Sequence, residues 1–109
     1  MVKMMQNNRL VADRVEAAET FFSRFVGLMG RPRLDPSEGL LLRRCSRVHT
    51  CFMKFPIDVV YLSASHRVLH VETLLPWKTG SRIEGAAHVL ELAAGRKDDL
   101  IIGCEVKFV

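Results

Sequence analysis

Residues 57–72 read IDVVYLSASHRVLHVE, which is two apolar runs joined by a short polar segment. The first run is rich in valine and isoleucine, and β-branched residues are enriched in strands. The Ser-Ala-Ser segment that follows, residues 63–65, has the length of a hairpin loop. We therefore predict that residues 57–62 and 67–72 are paired strands of a β-hairpin.

The sequence on either side of this hairpin predicts a mainly β chain. Apolar and alternating runs predict further strands at residues 10–18, 40–44, 48–53, 88–92 and 105–109. Residues 20–29 differ, because Thr20 is a helix-capping residue type and the apolar positions after it recur at helical spacing until Gly30. One short N-terminal helix is expected there, and a helical turn near residues 96–102. Without regular strand–helix alternation, the fold is predicted to be a compact jelly-roll-like sandwich or a partly open barrel.

Chain length and composition predict one domain in the cytoplasm. The 109 residues suit a single domain at residues 10–109, preceded by a flexible N-terminus at residues 1–9. The apolar runs are far shorter than the roughly 20 residues of a membrane-spanning helix, and MVKMMQNNR at the start does not read as a secretory signal. Three cysteines without CxxC spacing are typical of reduced thiols. No cofactor and no membrane partner are expected.

Positive charge is concentrated in one part of the sequence. Of the formal net charge of +4, residues 24–54 contribute +5, and the rest of the chain contributes −1. The seven bases are Arg24, Arg31, Arg33, Arg43, Arg44, Arg47 and Lys54, against Asp35 and Glu38. Such a concentrated field can attract an anionic partner. The alternative is an arginine-rich face that is simply solvated.

Three sequence blocks carry a family resemblance. They are R-x-x-G-L-M-x-R at residues 24–31 with EGLLL at 38–42, then HTCFMKFPIDVVYL at 49–62, then VLELAAG at 89–95. In this order they resemble a widespread bacterial family catalogued as a domain of unknown function, DUF192, from about residue 10 to the C-terminus. The resemblance implies a compact all-β fold with one short helix, and no established activity, substrate or catalytic residue.

The resemblance also marks positions where this chain follows or departs from the family pattern. The positions expected to be structural are Arg24, Gly27, Leu28, Met29, Gly39, Pro56 and Gly95. Cys51 stands where the family usually has an aromatic residue, which argues against a thiol needed for shared chemistry. Ala93 and Cys104 replace a usual proline and a usual aspartate.

Two acidic residues lie inside apolar runs. Asp58 stands among Ile57, Val59 and Val60, where an unpaired carboxylate would be costly to bury. It is expected either to form an internal clasp with an arginine or the backbone, fixing the helix to the sheet, or to line a pocket and contact a ligand. For Glu91, between Leu90 and Leu92, strand alternation favours a solvent-facing side chain, and a shared cavity with Asp58 is the alternative.

The residues with ligand-binding chemistry define one candidate pocket. Trp77 lies in a long irregular stretch, residues 73–87, and can cover a pocket or a partner surface, or cap the core edge. The candidate ligand-binding residues are His49, Met53, Lys54, Asp58, Trp77 and Glu91. No metal site is expected, because Cys45, His49 and Cys51 supply three ligands where structural zinc takes four.

These residues leave three functions open. The leading prediction is a small soluble binding module for a polar or anionic small molecule, or for a partner protein with an acidic patch. The second is a hydrolase or lyase using Asp58 with His49, although the sequence contains no nucleophile elbow, phosphate loop or metal-spaced histidine pair, and no catalytic residue is assigned. The third, weak nucleic-acid binding through the segment from Arg31 to Arg47, is not favoured because most aromatic residues are predicted to lie in the core.

Overall fold

Seven strands form one curled sheet in the computed structural model of the protein, which describes residues 1–18 and 31–109. The strands are β1 (Val2–Gln6), β2 (Arg9–Ala18), β3 (Glu38–Leu42), β4 (Ile57–Leu62), β5 (Val68–Leu74), β6 (His88–Ala93) and β7 (Lys107–Phe108), and a 3₁₀ helix spans Arg96–Asp99. Their order across the sheet is β5-β4-β6-β3-β2-β1-β7. Neighbouring strands are antiparallel except β2 and β3, which are parallel. The sheet curls into a half-barrel, so the mainly β fold is confirmed in its partly open barrel form.

The predicted hairpin forms one end of this sheet. β4 pairs with β5 on one side and with β6 on the other, and all six of its residues are buried. A strand covered on both faces has apolar residues on both faces rather than at alternate positions, which explains the sequence of β4 apart from Asp58. The predicted strands at residues 57–62 and 88–92 are confirmed, as is the strand at residues 10–18.

Two apolar clusters lie on opposite faces of the sheet. Strand alternation places Ile57, Val59 and Tyr61 in one cluster and Val60 and Leu62 in the other. We call the side that carries Val59 the first face and the side that carries Val60 the second face. Each large apolar side chain buried in these clusters contributes roughly 1.5–3 kcal/mol to folding.

The N-terminal residues differ from the sequence prediction. Residues 1–9 are predicted to be flexible, but Val2–Gln6 is the paired strand β1, and Met4 in it is fully buried. Gln6 is also buried, and its side-chain amide donates to the Ile101 carbonyl at 2.9 Å and accepts from the Ile101 N–H at 2.8 Å. These polar residues therefore form a strand, and the side chain of its buried glutamine is hydrogen-bonded to a turn far away in the sequence.

Residues 48–53 also differ, because they do not form the predicted strand. The segment makes a single antiparallel bridge, between His49 and Thr79, and then turns. Phe52 has a φ of +63°, which is outside the extended region and ends any strand at that point. Alternation along this segment therefore does not describe which side chains share a face.

The helical predictions have separate outcomes. The helix predicted at residues 20–29, with the motif positions Arg24, Gly27, Leu28 and Met29, lies outside the described residues. The helical turn predicted near residues 96–102 is present as the shorter 3₁₀ helix Arg96–Asp99. Across the two described ranges, no helix has the length and apolar character needed to cross a membrane.

The remaining motif positions have structural explanations. A Cβ atom on Gly39 would lie 2.9 Å from the Leu92 side chain, so β3 and β6 could not pack as they do with a larger residue. Gly95 has a φ of +97° at the start of the 3₁₀ helix, a conformation that favours glycine. Pro56 is exposed immediately before β4, where a missing N–H breaks no ladder.

Candidate functional site

Two loops are joined side by side near one end of the sheet, and we call residues 48–54 and 75–81 the paired loops. Thr50 is fully buried between them. Its N–H donates to the Lys78 carbonyl at 2.7 Å, and its carbonyl accepts from the Trp77 N–H at 2.9 Å. Its hydroxyl donates to the Leu75 carbonyl at 2.5 Å and accepts from the Lys78 N–H at 2.8 Å. One threonine therefore fixes the two backbones relative to each other.

A second set of contacts fixes the far end of the 75–81 loop. The Tyr61 hydroxyl donates to the Glu72 carboxylate at 2.5 Å, and the Ser81 N–H and hydroxyl donate to the same carboxylate at 2.9 and 3.1 Å. Burial alone would raise the pKa of Glu72, but the bonds from Tyr61 and Ser81 outweigh it and lower that pKa. Glu72 therefore stays ionised and holds the loop, while Gly80 leaves room for the Tyr61 hydroxyl.

The paired loops present exposed apolar side chains, and we call Phe52, Leu75 and Trp77 the aromatic tip. Their exposed fractions are 61%, 59% and 60%. The rings of Phe52 and Trp77 pack on each other, with centroids 4.7 Å apart and planes tilted by 59°. Both residues have left-handed backbone, with φ of +63° and +64°, which is costly for bulky side chains and clusters at functional sites.

Basic residues are concentrated on and next to the paired loops. Arg47, Lys54, Lys78 and Arg82 lie on or next to the paired loops, and all four are exposed. The sequence has no acidic residue at positions 43–57 or 73–83. Within the described part of the chain, none of the four bases forms an ion pair, whereas Arg31 pairs with Glu38 at 3.1 Å. Arg82 follows Ser81, which binds the ionised Glu72 carboxylate, so the bases without a nearby acidic residue in the sequence are Lys54 and Lys78.

Asp58 forms a clasp with the backbone. Its carboxylate is fully buried on the second face and accepts from the Thr73 hydroxyl at 2.6 Å and from the Gly95 and Lys97 N–H groups, both at 2.8 Å. The sequence left open a clasp and a ligand contact, and the observed bonds are those of the clasp. The clasp joins β4 to the start of the 3₁₀ helix.

Glu91 is buried on the opposite face from Asp58. Val59 pairs with Glu91 and Asp58 pairs with Leu92, so alternation sends the two carboxyl groups to different sides of the sheet. The prediction that Glu91 faces solvent is wrong, since only 3% of it is exposed. No described residue hydrogen-bonds to its Oε1 atom, and burial raises its pKa to about 8. The alternative of one cavity shared by both acids is also wrong.

The structure groups four of the six candidate residues. The paired loops carry His49, Met53, Lys54 and Trp77. Of these, Met53 is buried and Lys54 is exposed. The His49 Nδ1 atom accepts from the Cys51 N–H at 3.2 Å. Asp58 and Glu91 lie apart from this group, within the sheet.

Two residues of the paired loops were missed by sequence reasoning. Thr50 and Phe52 fall within the strand predicted at residues 48–53, which predicts neither the hydrogen bonds of the buried Thr50 nor the exposed ring of Phe52. No sequence signal identifies Phe52 as a surface aromatic, because Trp77, on which its ring packs, is 25 positions away in the chain.

Two cavities lie away from the candidate residues. One of about 550 Å³ is lined by residues that include Asn7, Arg67 and Lys107, and one of about 200 Å³ lies beside Pro36 and Arg96. Within the described ranges, no three His, Cys, Asp or Glu side chains come together as a metal ion would require.

Solved structures with the same fold have no function that transfers to this chain. A protein of unknown function from Novosphingobium aromaticivorans has a TM-score of 0.81 and 19% identity, covering 97% of this chain and 82% of its own. A putative transcription regulator from Sinorhizobium meliloti has a TM-score of 0.80 and 22% identity, covering 98% and 91%. At these identities the likeness shows the fold alone.

Sequence relatives place the chain in a family. A UPF0127 protein of Thermococcus sibiricus is 34% identical over 91 residues, covering 80% of this chain and 59% of the relative, and one of Pyrococcus horikoshii is 34% identical over 89 residues, covering 79% and 77%. The chain thus spans about three-fifths of the first relative. These relatives are archaeal, so a bacterial source stays a prediction. The DUF192 model, described as an uncharacterized family, matches residues 2–108, and the chain therefore belongs to the DUF192 family.

Proposed function

We propose that this chain is a small binding module whose contact surface is the aromatic tip. The observation that carries the proposal is three large apolar side chains, Phe52, Leu75 and Trp77, each more than half exposed on loops that are otherwise held by buried hydrogen bonds. Exposed apolar clusters rimmed by polar residues mark interaction sites. Aromatic residues in particular dominate the binding energy of protein surfaces.

The local backbone supports this assignment. Left-handed geometry at a bulky residue costs of order 1–3 kcal/mol, and here Phe52 and Trp77 both have it. The surrounding bonds of Thr50, and of Ser81 with Glu72, oppose relaxation of the loops. Aromatic anchors held in place before binding lose little conformational entropy when a partner arrives.

The enzyme alternative has no such support. Both oxygens of Asp58 accept hydrogen bonds from Thr73, Gly95 and Lys97. Asp58 also lies on the second face of the sheet, within β4, whereas His49 lies on the paired loops. A general base must reach the proton that it removes, and a fully buried carboxylate engaged by three donors is poorly suited to that role.

Trp77 allows a direct test, because it is the only tryptophan in the chain. Its fluorescence would be followed while the protein is titrated with a panel of probes: peptides selected from a random library, lipid vesicles, a thymidine oligonucleotide and a metabolite collection. We expect at least one class to bind and to shift Trp77 emission. Phe52→Ala should weaken that binding by at least about tenfold, a typical loss for an aromatic anchor.

The control is a surface apolar residue elsewhere. Ile102 is 56% exposed on the C-terminal turn, and Ile102→Ala should leave binding unchanged. Thermal unfolding of all variants would verify that each remains folded. The proposal fails if no probe class binds, or if each binding class binds Phe52→Ala as tightly as the wild type.

A further inference from the structure

We infer that the partner of the aromatic tip is a protein surface that combines acidic residues with an apolar pocket. The inference rests on the proposed function and narrows it to one class of partner. It follows from three features of the paired loops: the exposed bases Lys54 and Lys78, fixed side-chain geometry, and rings that cover each other.

The basic residues of the paired loops favour an anionic partner. Arg47, Lys54, Lys78 and Arg82 are exposed, and no acidic residue occurs in the sequence at positions 43–57 or 73–83. Complementary charge on a partner accelerates association and excludes partners of the wrong sign. Acidic side chains at the rim of a partner's pocket would meet Lys54 and Lys78 when the apolar tip enters the pocket.

The fixed geometry argues for a partner of defined shape rather than a lipid surface. Thr50 ties the two loops together, and the left-handed backbone of Phe52 and Trp77 sets the direction of each ring. A fluid bilayer accommodates aromatic side chains in many orientations, so it gains nothing from such rigidity. Binding to a pocket of fixed shape is strengthened by this rigidity, because side chains that are already held in place lose less conformational entropy on binding.

The ring packing argues against single-stranded nucleic acid. Binding of bases uses aromatic faces that are open for stacking. Phe52 and Trp77 pack on each other at 4.7 Å with a 59° tilt, so each ring blocks part of the other's face. Leu75, the third member of the tip, has no ring on which a base could stack.

The test selects binders from a displayed library of random peptides against the full chain. We expect the enriched peptides to combine aspartate or glutamate with phenylalanine, leucine or tryptophan. Binding of one such synthetic peptide should fall by about tenfold or more in Trp77→Ala and in the double variant Lys54→Glu/Lys78→Glu, and should weaken with added salt. Lys107→Glu, an exposed charge reversal on β7, is the matched control and should bind as the wild type does.

Two probes distinguish the other partner classes. Phosphatidylcholine vesicles containing phosphatidylglycerol, and a thymidine oligonucleotide, would be titrated against wild type and Phe52→Ala. Tip-dependent binding of either probe, without tip-dependent binding of any acidic peptide, overturns this inference while leaving the binding-module proposal intact. Enriched peptides that lack acidic residues, or that bind the Lys54→Glu/Lys78→Glu variant equally well, overturn it as well. If no probe depends on Phe52, both proposals fail together.

Discussion

Asp58 and Glu91 occupy similar places in the sequence and very different places in the structure. Each is a single acid inside an apolar strand, on β4 and β6, and both are almost wholly buried. Asp58, on the second face, accepts three hydrogen bonds from Thr73 and from the turn at residues 95–97. Glu91, on the first face between Leu40 and Val59, has an Oε1 atom to which no described residue donates.

The comparison shows that burial of an acidic side chain and hydrogen bonding of its carboxyl group are separate outcomes of folding. Strand pairing decides burial, because both residues belong to strands that are paired on both sides. Whether the carboxylate oxygens are hydrogen-bonded depends on whether donors elsewhere in the chain reach them. The turn that starts at Gly95 directs two N–H groups at Asp58, whereas no described residue donates to the Oε1 atom of Glu91 and burial raises the pKa of that group.

The largest expected effect comes from removing the satisfied acid. Asp58→Ala leaves the Gly95 and Lys97 N–H groups and the Thr73 hydroxyl without their acceptor, and we expect a loss of about 3–5 kcal/mol in the free energy of unfolding. Urea denaturation followed by circular dichroism would measure it. Asp98→Ala on the same 3₁₀ helix is the control and should cost less than about 1 kcal/mol, because 79% of that side chain is exposed. Equal midpoints for wild type and Asp58→Ala would contradict the clasp.

The second prediction concerns Glu91, to whose Oε1 atom no described residue donates, and its response to pH. The pKa of Glu91 is raised from 4.5 to about 8 in the folded state, so the folded protein holds this proton more tightly than the unfolded chain does. The free energy of unfolding should therefore decrease as pH rises from about 4.5 through about 8, by about 2–4 kcal/mol in total. Urea denaturation at about pH 5, 7 and 9 would measure the decrease.

A variant assigns this pH dependence to Glu91. Glu91→Gln has no carboxyl group to ionise, so its unfolding free energy should change much less over the same range and exceed that of the wild type at about pH 9. Glu84→Gln, at an exposed position, should retain the wild-type dependence. The assignment is wrong if Glu91→Gln loses stability with rising pH as steeply as the wild type.

Much of the sheet was predictable because its signals are local. The valine-rich run of β4 predicts a strand with the observed bounds, Ile57–Leu62, and its hairpin with β5 follows from the short polar loop. β1 was not predictable in the same way. Gln6 reads as a polar residue of a flexible end, and only contacts about 95 residues away in sequence, at Ile101, explain its burial.

The candidate site was predictable in part. Trp77 and Lys54 were identified from loop composition and charge, and the structure brings both to the paired loops. Phe52 was missed, because alternation over residues 48–53 predicts a strand, whereas the backbone is turned by the bonds between Thr50 and the loop around Lys78. Such long-range bonds leave no periodic pattern in the sequence.

The smallest expected effect separates one bond of the Asp58 clasp from the others. Thr73→Val keeps the shape of the side chain but removes the hydroxyl that donates to Asp58 at 2.6 Å, and we expect a loss of about 1–2 kcal/mol. Thermal unfolding would detect it as a melting temperature lowered by several degrees, about 4 °C or more per kcal/mol for a domain of this size. Thr73→Ser keeps the hydroxyl, and its melting temperature should lie close to that of the wild type.

A double variant tests whether the two residues act together. In an Asp58→Ala background the same Thr73→Val change should cost much less stability, because its acceptor is already gone. Additive losses in the double variant would mean that Thr73 stabilises β5 independently of the clasp, and that the two backbone N–H groups alone satisfy the buried carboxylate.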